Sequence, residues 1–464
     1  MTAHEPREAV VGIDIGTTMS KALLRTPSGE QLALVEARTP WTTTQEGGTE
    51  TSAECFVELA VDLLRRGYQR ASAGTPLQVS AVAVAGLAES GVLLDGSGLP
   101  LTPVVAWFDR RGTRQIDSIS LHNNSFGPEF VRRTGLPWDC QSSVAKLLWF
   151  VDGGLQLAPA HRWLSVPEYV VYRLGGELVH EPSLASRTGL LDQATGTTWA
   201  DGAAELGLPS TLLPARQPYG ESIGRLRQTG LPDGLQGAAL LVGGHDHPVA
   251  AIGVGATQPD ELLNSTGTAD VVVRSLPAVL TDEQRERLVG RGISVGMHVL
   301  PDASALIAGV RGGLLLRRVL GLLGVTTAAQ REVLDRAALA VGNLPAGLDI
   351  SGAGPTGDDV ILHVRDDADP ATVWAAATRY TARETRVLLD LIESVVGPHT
   401  RAVASGGWTR MASVRTAKSA VIDHLTFSEV PEPVVAGAAL LAHRAAISSP
   451  VQKEKACPPR PPHG

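Results

Sequence analysis

The sequence predicts two α/β domains built alike and facing each other across a cleft. Three observations lead there. Near the start, Val10 to Ile15 is an apolar strand carrying Asp14. It ends in Gly16, Thr17 and Thr18, and Lys21 with Ala22–Leu23–Leu24 begins a returning strand. Past the middle, Leu262–Leu263 and Val271–Val272–Val273 flank a second polar turn, Asn264–Ser265–Thr266–Gly267–Thr268. The chain has 464 residues, room for two or three domains with substantial cores. Gly takes positive φ readily, and the N–H groups and hydroxyls of such a turn present donors to an anion. Two such hairpins facing one another would hold one polyphosphate. Neither is a P-loop: no Gly-x-x-x-x-Gly-Lys-[Ser/Thr] occurs, and no Gly-x-Gly-x-x-Gly opens a helix after the first strand.

Composition narrows the class. Hydrophobic residues make up 43% and charged residues 19%, an ordinary soluble balance. The net charge of −8 argues against a nucleic-acid or anionic-membrane partner. Cys55, Cys140 and Cys457 lie far apart, form no metal or redox motif, and read as reduced thiols of a cytoplasmic protein. Met1 to Glu8 is polar, unlike a secretory signal, and no uncharged apolar run reaches the ~18 residues of a membrane helix. The ends, Met1–Arg7 and Ser448–Gly464, read as disordered.

In chain order, Gln31–Glu36 adds a third strand, and Thr51–Arg66 has apolar residues at helical spacing. Val79–Ala85 is a buried strand, followed by the turn Gly86 to Gly91 that carries Glu89. Val104–Val105–Ala106 is a strand running into Trp107, Phe108, Asp109, Arg110 and Arg111. A carboxylate and a guanidinium at a strand end suit adjacent hydroxyls of a small ligand. Ser143–Phe150 is a helix packed through Leu147 and Leu148, with Lys146 structural. Trp163–Leu174 reads as a helix. A Pro- and Gly-rich passage, Pro214–Gly237, leads to Ala238–Val242 and places the domain boundary near residue 240.

Asp246 follows Gly243–Gly244 and precedes an apolar helix starting at about Pro248. Its neighbours His245 and His247 raise the question of zinc, but a catalytic zinc usually takes three protein ligands, and no His-Glu-x-x-His or Cys/His cluster occurs. They read instead as groups that shape a pocket or orient Asp246. Leu306–Leu323 reads as an apolar helix broken at Gly312–Gly313, and Thr327–Ala340 and Pro370–Val396 as further helices. Ala402–Ser405 is a strand entering Gly406, Gly407 and Trp408; Gly permits close approach of a ligand and a helix start favours phosphate. Pro433–Ala446 is a small-residue helix expected in the second core, near the nucleotide.

The ordered set D-I-G-T-T (Asp14–Thr18), G-G-H-D-H (Gly243–His247), S-T-G-T (Ser265–Thr268) and S-G-G-W (Ser405–Trp408) resembles the FGGY carbohydrate kinases over almost the whole chain. The resemblance implies two ribonuclease-H-like domains of the actin/hexokinase superfamily around a central cleft. Residues 1–240 would form the sugar-binding domain with the first phosphate hairpin, 241–450 the domain with the catalytic Asp and the nucleotide, and 451–464 a disordered tail. It implies ATP and Mg²⁺ as cofactors, a small sugar or polyol as acceptor, no nucleic acid, no membrane, and a homodimer.

Asp246 would be the general base, raised toward useful basicity by a partly dry cleft. Asp14 would face Mg²⁺ through water. Glu89, Asp109, Arg110, His245, Asp246 and His247 would meet the sugar, with Glu181–Trp199 closing the domain nearby. Gly16, Thr17, Thr18, Lys21, Thr266, Gly267, Thr268, Gly406, Gly407 and Trp408 would meet the nucleotide. The Asp109 segment is most similar to xylulokinase-type members, which makes a ketose the expected acceptor. Two stretches depart from the family: Ser351–Asp358 replaces a G-E-R-x-P loop, and T-A-K-S-A at Thr416–Ala420 replaces Q-x-x-A-D. The rival readings are an actin-like-fold ATPase with another acceptor and a catalytically weak sugar-binding regulator.

Overall fold

Two units make up the chain. The first comprises Met1–Gly253, Gly296–Ala303 and Pro433–Gly464; the second comprises Val254–Val295 and Ser304–Glu432. The computed structural model describes residues 6–448 except 278, 346, 353–359 and 365–367. The expected disordered tail, Cys457 and most of the Ser351–Asp358 loop lie outside the described residues. Arg7, expected in a disordered end, already belongs to the first strand.

Alternation along that strand layers the first unit. In β1 (Arg7–Ile15), Ala9, Val11 and Ile13 face one core, and Val10 and Gly12 the other. β1, β2 (Met19–Arg25) and β3 (Gln31–Arg38) form the expected antiparallel meander. Helix α1 (Ala53–Ala71) buries Phe56, Ala60, Leu63 and Leu64 on the first face. β4 (Leu77–Gly86) runs parallel to β1. Two further helices, α2 (Ser143–Asp152) and α3 (Val166–Arg173), precede β5 (Ala239–His245), which runs parallel to β4. The sheet order is β5-β4-β1-β2-β3. Trp163 was expected in a helix. It lies instead in a strand, Arg162–Ser165, paired with Gly91–Leu94, and α3 starts only after Ser165 supplies its N-cap.

The boundary differs from the expectation of residue 240, because β5 completes the first sheet and α4 (Asp246–Gly253) stays with it. The C-terminal helix, Pro433–Ser448, was expected in the second core and packs in the first unit instead. Its small residues allow backbone-to-backbone contact. A Cβ on Gly12 would lie 2.3 Å from Val435 O, and one on Gly437 would lie 2.0 Å from Val249 O.

Glu168 is buried in the first turn of α3. Its carboxylate accepts from the N–H groups of Ser165 and Glu181, both at 2.7 Å, and burial pushes its pKa up to about 8. Between its ordinary 4.5 and about 8, the folded chain holds a proton that the unfolded chain has released, so stability falls as pH rises. Burial acts oppositely on His180, His247 and His298, the last held down to about 4. They add stability as pH rises toward their ordinary 6.5 and nothing above it. Between pH 6.5 and about 8, denaturant titrations should therefore show the wild type losing stability more steeply than Glu168→Gln. Parallel slopes would contradict the assignment.

The second unit repeats the plan. β6 (Glu261–Thr266), β7 (Asp270–Leu276) and β8 (Ser304–Val310) form an antiparallel meander. Leu306–Val310 was expected to be part of a helix, but Ser304–Val310 is a strand. A short apolar run buried on both faces has no period that separates strand from helix, and the helix α5 (Gly312–Leu322) begins only at the Gly pair. Helices α6 (Ala328–Leu339) and α7 (Pro370–Val396) match expectation, with Thr327 and Asp369 as N-caps. β9 (Arg401–Ser405) runs parallel to β6, α8 (Ala412–Ser419) follows, and β10 (Leu425–Phe427) runs parallel to β9. The order β8-β7-β6-β9-β10 matches β3-β2-β1-β4-β5 of the first unit, and the strand Ser294–Met297 adds a sixth beside β8. The repeated turn in the sequence thus marks a repeated fold. No helix among the described residues is long and apolar enough to cross a membrane.

Candidate functional site

In the first unit the register of three parallel strands assembles the site. Asp14 pairs with Ala85 and Ile15 with Gly86; Gly244 pairs with the same Ala85 and His245 with the same Gly86. Asp14 and Asp246 therefore emerge at the same sheet end, two strand spacings or roughly 10 Å apart. Glu89 leaves the strand between them. Carboxyl ends of parallel strands are where α/β sheets bind ligands.

The first hairpin turn is tied down by side chains the sequence did not single out. Thr39 Oγ1 donates to Gly16 O at 2.6 Å, Trp41 Nε1 to Thr17 O at 2.8 Å, and Trp107 Nε1 to Thr17 Oγ1 at 3.0 Å. Thr18 is exposed, and Lys21 faces Asp14 in register across β1 and β2.

Asp246 opens α4 between two imidazoles. His245 Nε2 lies 3.1 Å and His247 Nδ1 3.8 Å from Asp246 Oδ1, and the rings stand 5.2 Å apart. Oδ1 is buried, and the side chain's 24% exposure lies away from it. Burial raises the carboxyl's pKa, but the two imidazoles outweigh it and hold Asp246 below the usual carboxylate range. The expected upward shift is thus reversed, because the two imidazoles beside the carboxylate outweigh its burial. The donor atoms of His245, Asp246 and His247 lie within 4.8 Å of one another, close enough to hold an ion. Behind them, His245 N donates to Ser183 Oγ at 2.9 Å, and Ser183 Oγ donates to Glu181 at 2.5 Å.

The structure brings Glu89 to Arg187, a residue not singled out from sequence. Nε and Nη2 of Arg187 each lie 2.7 Å from Glu89 Oε1. Asp109 behaves differently from expectation. Its carboxylate accepts from Thr49 N at 2.6 Å and from three nitrogens of Arg111 at 2.9 to 3.0 Å, so its own chain occupies it. Arg110 is exposed, and Arg111 is the converging guanidinium: it pairs with Glu50 and lies 4.9 Å over the Trp149 ring. Lys146 is structural, its buried Nζ donating to the carbonyls of Asp109 and Cys140 at 2.5 Å. Glu50, Asp109, Arg110, Arg111 and Trp149 border a cavity of about 850 Å³.

In the second unit the β6–β7 turn borders a cavity of about 910 Å³, lined by Gly267, Thr268, Arg317, Leu320, Gly407, Trp408 and Met411 among others. Thr268 is exposed to it. Thr266 is not: its buried hydroxyl donates to Ser405 O at 2.9 Å and ties the turn to β9. Gly406, at φ +111°, lets β9 turn away beside Thr266, where a Cβ would lie 2.5 Å from Thr266 O. Asp270 and Lys418 form a buried pair at 3.3 Å beneath the turn. The α5 start presses on the turn itself, since a Cβ on Gly313 would lie 1.8 Å from Gly267 O. Gly313→Ala must displace that turn. A rise of about tenfold or more in the Kd for ATP, with thermal stability lowered by no more than about 1–3 kcal/mol, is the expected result. An unchanged Kd, measured by nucleotide titration, would separate the turn from nucleotide binding.

The model of the FGGY family of carbohydrate kinases, N-terminal domain, matches residues 9–253, ending where the first unit's main segment ends. The autoinducer-2 kinase of Escherichia coli is 27% identical over 307 residues, 65% of this chain and 56% of that protein. The chain thus spans little more than half the length of the curated relatives it matches. Among solved structures, the xylulose kinase from Rhodospirillum rubrum superposes with a TM-score of 0.80 at 22% identity, covering 94% of this chain and 92% of that one. The Plasmodium falciparum glycerol kinase gives 0.80 at 16% identity, covering 97% and 92%. At these identities the structures establish the fold: a two-domain actin/hexokinase-like architecture.

Proposed function

Since the chain belongs to the FGGY family of carbohydrate kinases, we propose that it transfers the γ-phosphate of ATP to a terminal hydroxyl of a ketose or related sugar or polyol, with Asp246 as general base. The observation that carries this reading is the strand register that delivers Asp14, Glu89 and Asp246 to one sheet end. Phosphoryl transfer to an alcohol needs positioning, neutralisation of charge and a group that takes the hydroxyl proton.

Asp246 is ionised across the working pH range, and its accessible oxygen accepts the acceptor's O–H. That oxygen takes the hydroxyl proton as the attacking oxygen bonds to phosphorus. His245 and His247 fix the carboxylate and keep it charged. No covalent enzyme intermediate is needed. Glu89 receives a second acceptor hydroxyl. ATP occupies the second unit's cavity, its phosphates at Gly267 and Thr268 and its adenosine toward Gly407 and Trp408, while Gly16, Thr17, Thr18 and Lys21 serve the transferred phosphate. Asp14, a hard oxygen donor at a strand end, suits Mg²⁺ that keeps most of its waters, and the ion, when bound, would neutralise phosphate charge.

The test is ADP release from MgATP against a panel of ketoses, polyols, aldonates and deoxy sugars. One acceptor group stimulating release supports the proposal. Release indifferent to every acceptor favours an ATPase, and saturable sugar binding without release favours a regulator. The clustered donors of His245, Asp246 and His247 favour one further reading, a zinc centre. Stoichiometric zinc in the purified protein would support it.

A further inference from the structure

Glu89 follows the end of β4 at φ +62°, a left-handed conformation that residues with side chains rarely adopt. Such strain persists only where the surroundings impose it. Two contacts do so. Ser143 Oγ donates to the Glu89 carbonyl at 2.8 Å, and Arg187 holds the carboxylate. Both side chains of the pair are only 11% exposed.

The pairing is lopsided. Nε and Nη2 both reach Oε1, each at 2.7 Å, and among the described residues nothing donates to Oε2. Arg187 Nη1 is buried without a partner. The guanidinium's charge is thus matched by Glu89, and its free end is closed off. What the pair leaves without a protein donor among the described residues is the second carboxylate oxygen of Glu89. Asp139 lines the same small recess beside Leu136 and Pro137, and burial favours its neutral form. The stretch that carries Arg187 also meets the Asp246 turn, because Ser183 Oγ accepts from His245 N. Glu89 and Asp246 are therefore held by one segment, 183–187.

A fixed carboxylate oxygen accepts a hydroxyl hydrogen, and it repels a carboxylate brought alongside. We propose that Arg187 is a specificity-determining positioning residue: by holding the Glu89 carboxylate through one oxygen and leaving the other free, it makes the site take a neutral polyhydroxy acceptor and exclude an aldonate. The inference builds on the sugar-kinase reading for the class of ligand, but its test needs no turnover.

Calorimetric titration of the full chain with D-xylulose and with D-gluconate, in the absence of nucleotide, reads the discrimination directly. Wild type is expected to bind the ketose about tenfold or more tightly than the aldonate. Glu89→Gln keeps an acceptor for Arg187 and removes the negative charge, so the ratio should shift toward gluconate by about tenfold. Arg187→Lys, which keeps charge without the planar fork, should retain more of the wild-type ratio than Arg187→Met. A ratio is insensitive to a lowered folded fraction, so a merely structural role would leave it unmoved. Gluconate bound as well as xylulose by wild type, a ratio unchanged in Glu89→Gln, or no saturable binding of either compound would overturn the proposal. Discrimination as expected, but no ADP release when MgATP is added, would instead overturn the kinase reading and leave the role of the pair intact.

Discussion

Asp246→Ala is expected to lower kcat for acceptor phosphorylation by about 10²–10⁴-fold, the usual contribution of a positioned proton acceptor. Three features of the residue set that expectation. It is the first residue of α4, so its backbone is fixed by the strand before it and the helix after it. Its Oδ1 is buried against two imidazoles, which leaves the rest of the carboxylate for the acceptor. Its pKa lies below the ordinary range, so ionisation of Asp246 imposes no acid limb on kcat/KM at or above pH 4. Asp246→Asn separates proton acceptance from shape. Asn keeps the size and a carbonyl oxygen but takes no proton, and it should lose nearly as much kcat as Ala while KM changes little. Retention of most activity in Asp246→Asn would remove the base role.

Gly437→Val should unfold the first unit, or lower its stability by about 3 kcal/mol or more. The added Cβ would sit 2.0 Å from Val249 O and 3.0 Å from Gly253 N. Both are backbone atoms, so no rotamer change relieves the clash. The C-terminal helix must move off α4, exposing Val249, Ile252, Leu441 and Ala442, which are buried together. A unit of this size should lose roughly 10 °C in Tm. Because Asp246 opens α4, the same movement reaches the site, and activity should fall with stability. A Tm within about 2 °C of wild type would show that the helix does not pack as described.

The sequence announced the two hairpins because each joins apolar runs through a Gly-Thr turn, a signal carried by neighbouring residues. It announced α7 for a similar reason: Pro370 starts it after Asp369, and a long apolar stripe follows. What it withheld depends on distant partners. Ser304–Val310 is a strand only because β7 lies beside it. The C-terminal helix has the small residues of a close-packed element, yet nothing local tells which unit it packs against. The placement of β5 in the first sheet is equally a matter of pairing, which is why the boundary fell short of Gly253.

The candidate site was legible to the same extent. Asp14, Glu89 and Asp246 stand out as carboxylates beside glycines at strand ends, and all three arrive at one sheet end. Arg187 lies 98 positions from Glu89 and could be paired with it only in three dimensions. Asp109 and Arg110 illustrate the converse. A strand-end carboxylate beside two arginines suggested ligand contacts; both Asp109 and Arg110 line a cavity, but the bonds from Arg111 and Thr49 to the carboxylate could be read only from the fold. The downward shift of Asp246 was hidden because burial alone predicts the opposite sign, and the imidazoles that reverse it matter only at their folded distances.

The most direct measurement is phosphorus NMR of a reaction containing the full chain, MgATP and the acceptor that most stimulates ADP release. A sugar kinase yields one phosphomonoester of the acceptor for each ADP formed, and Asp246→Asn yields almost none. ADP accompanied by an equal amount of inorganic phosphate, with no phosphorylated acceptor, would contradict phosphoryl transfer to a sugar.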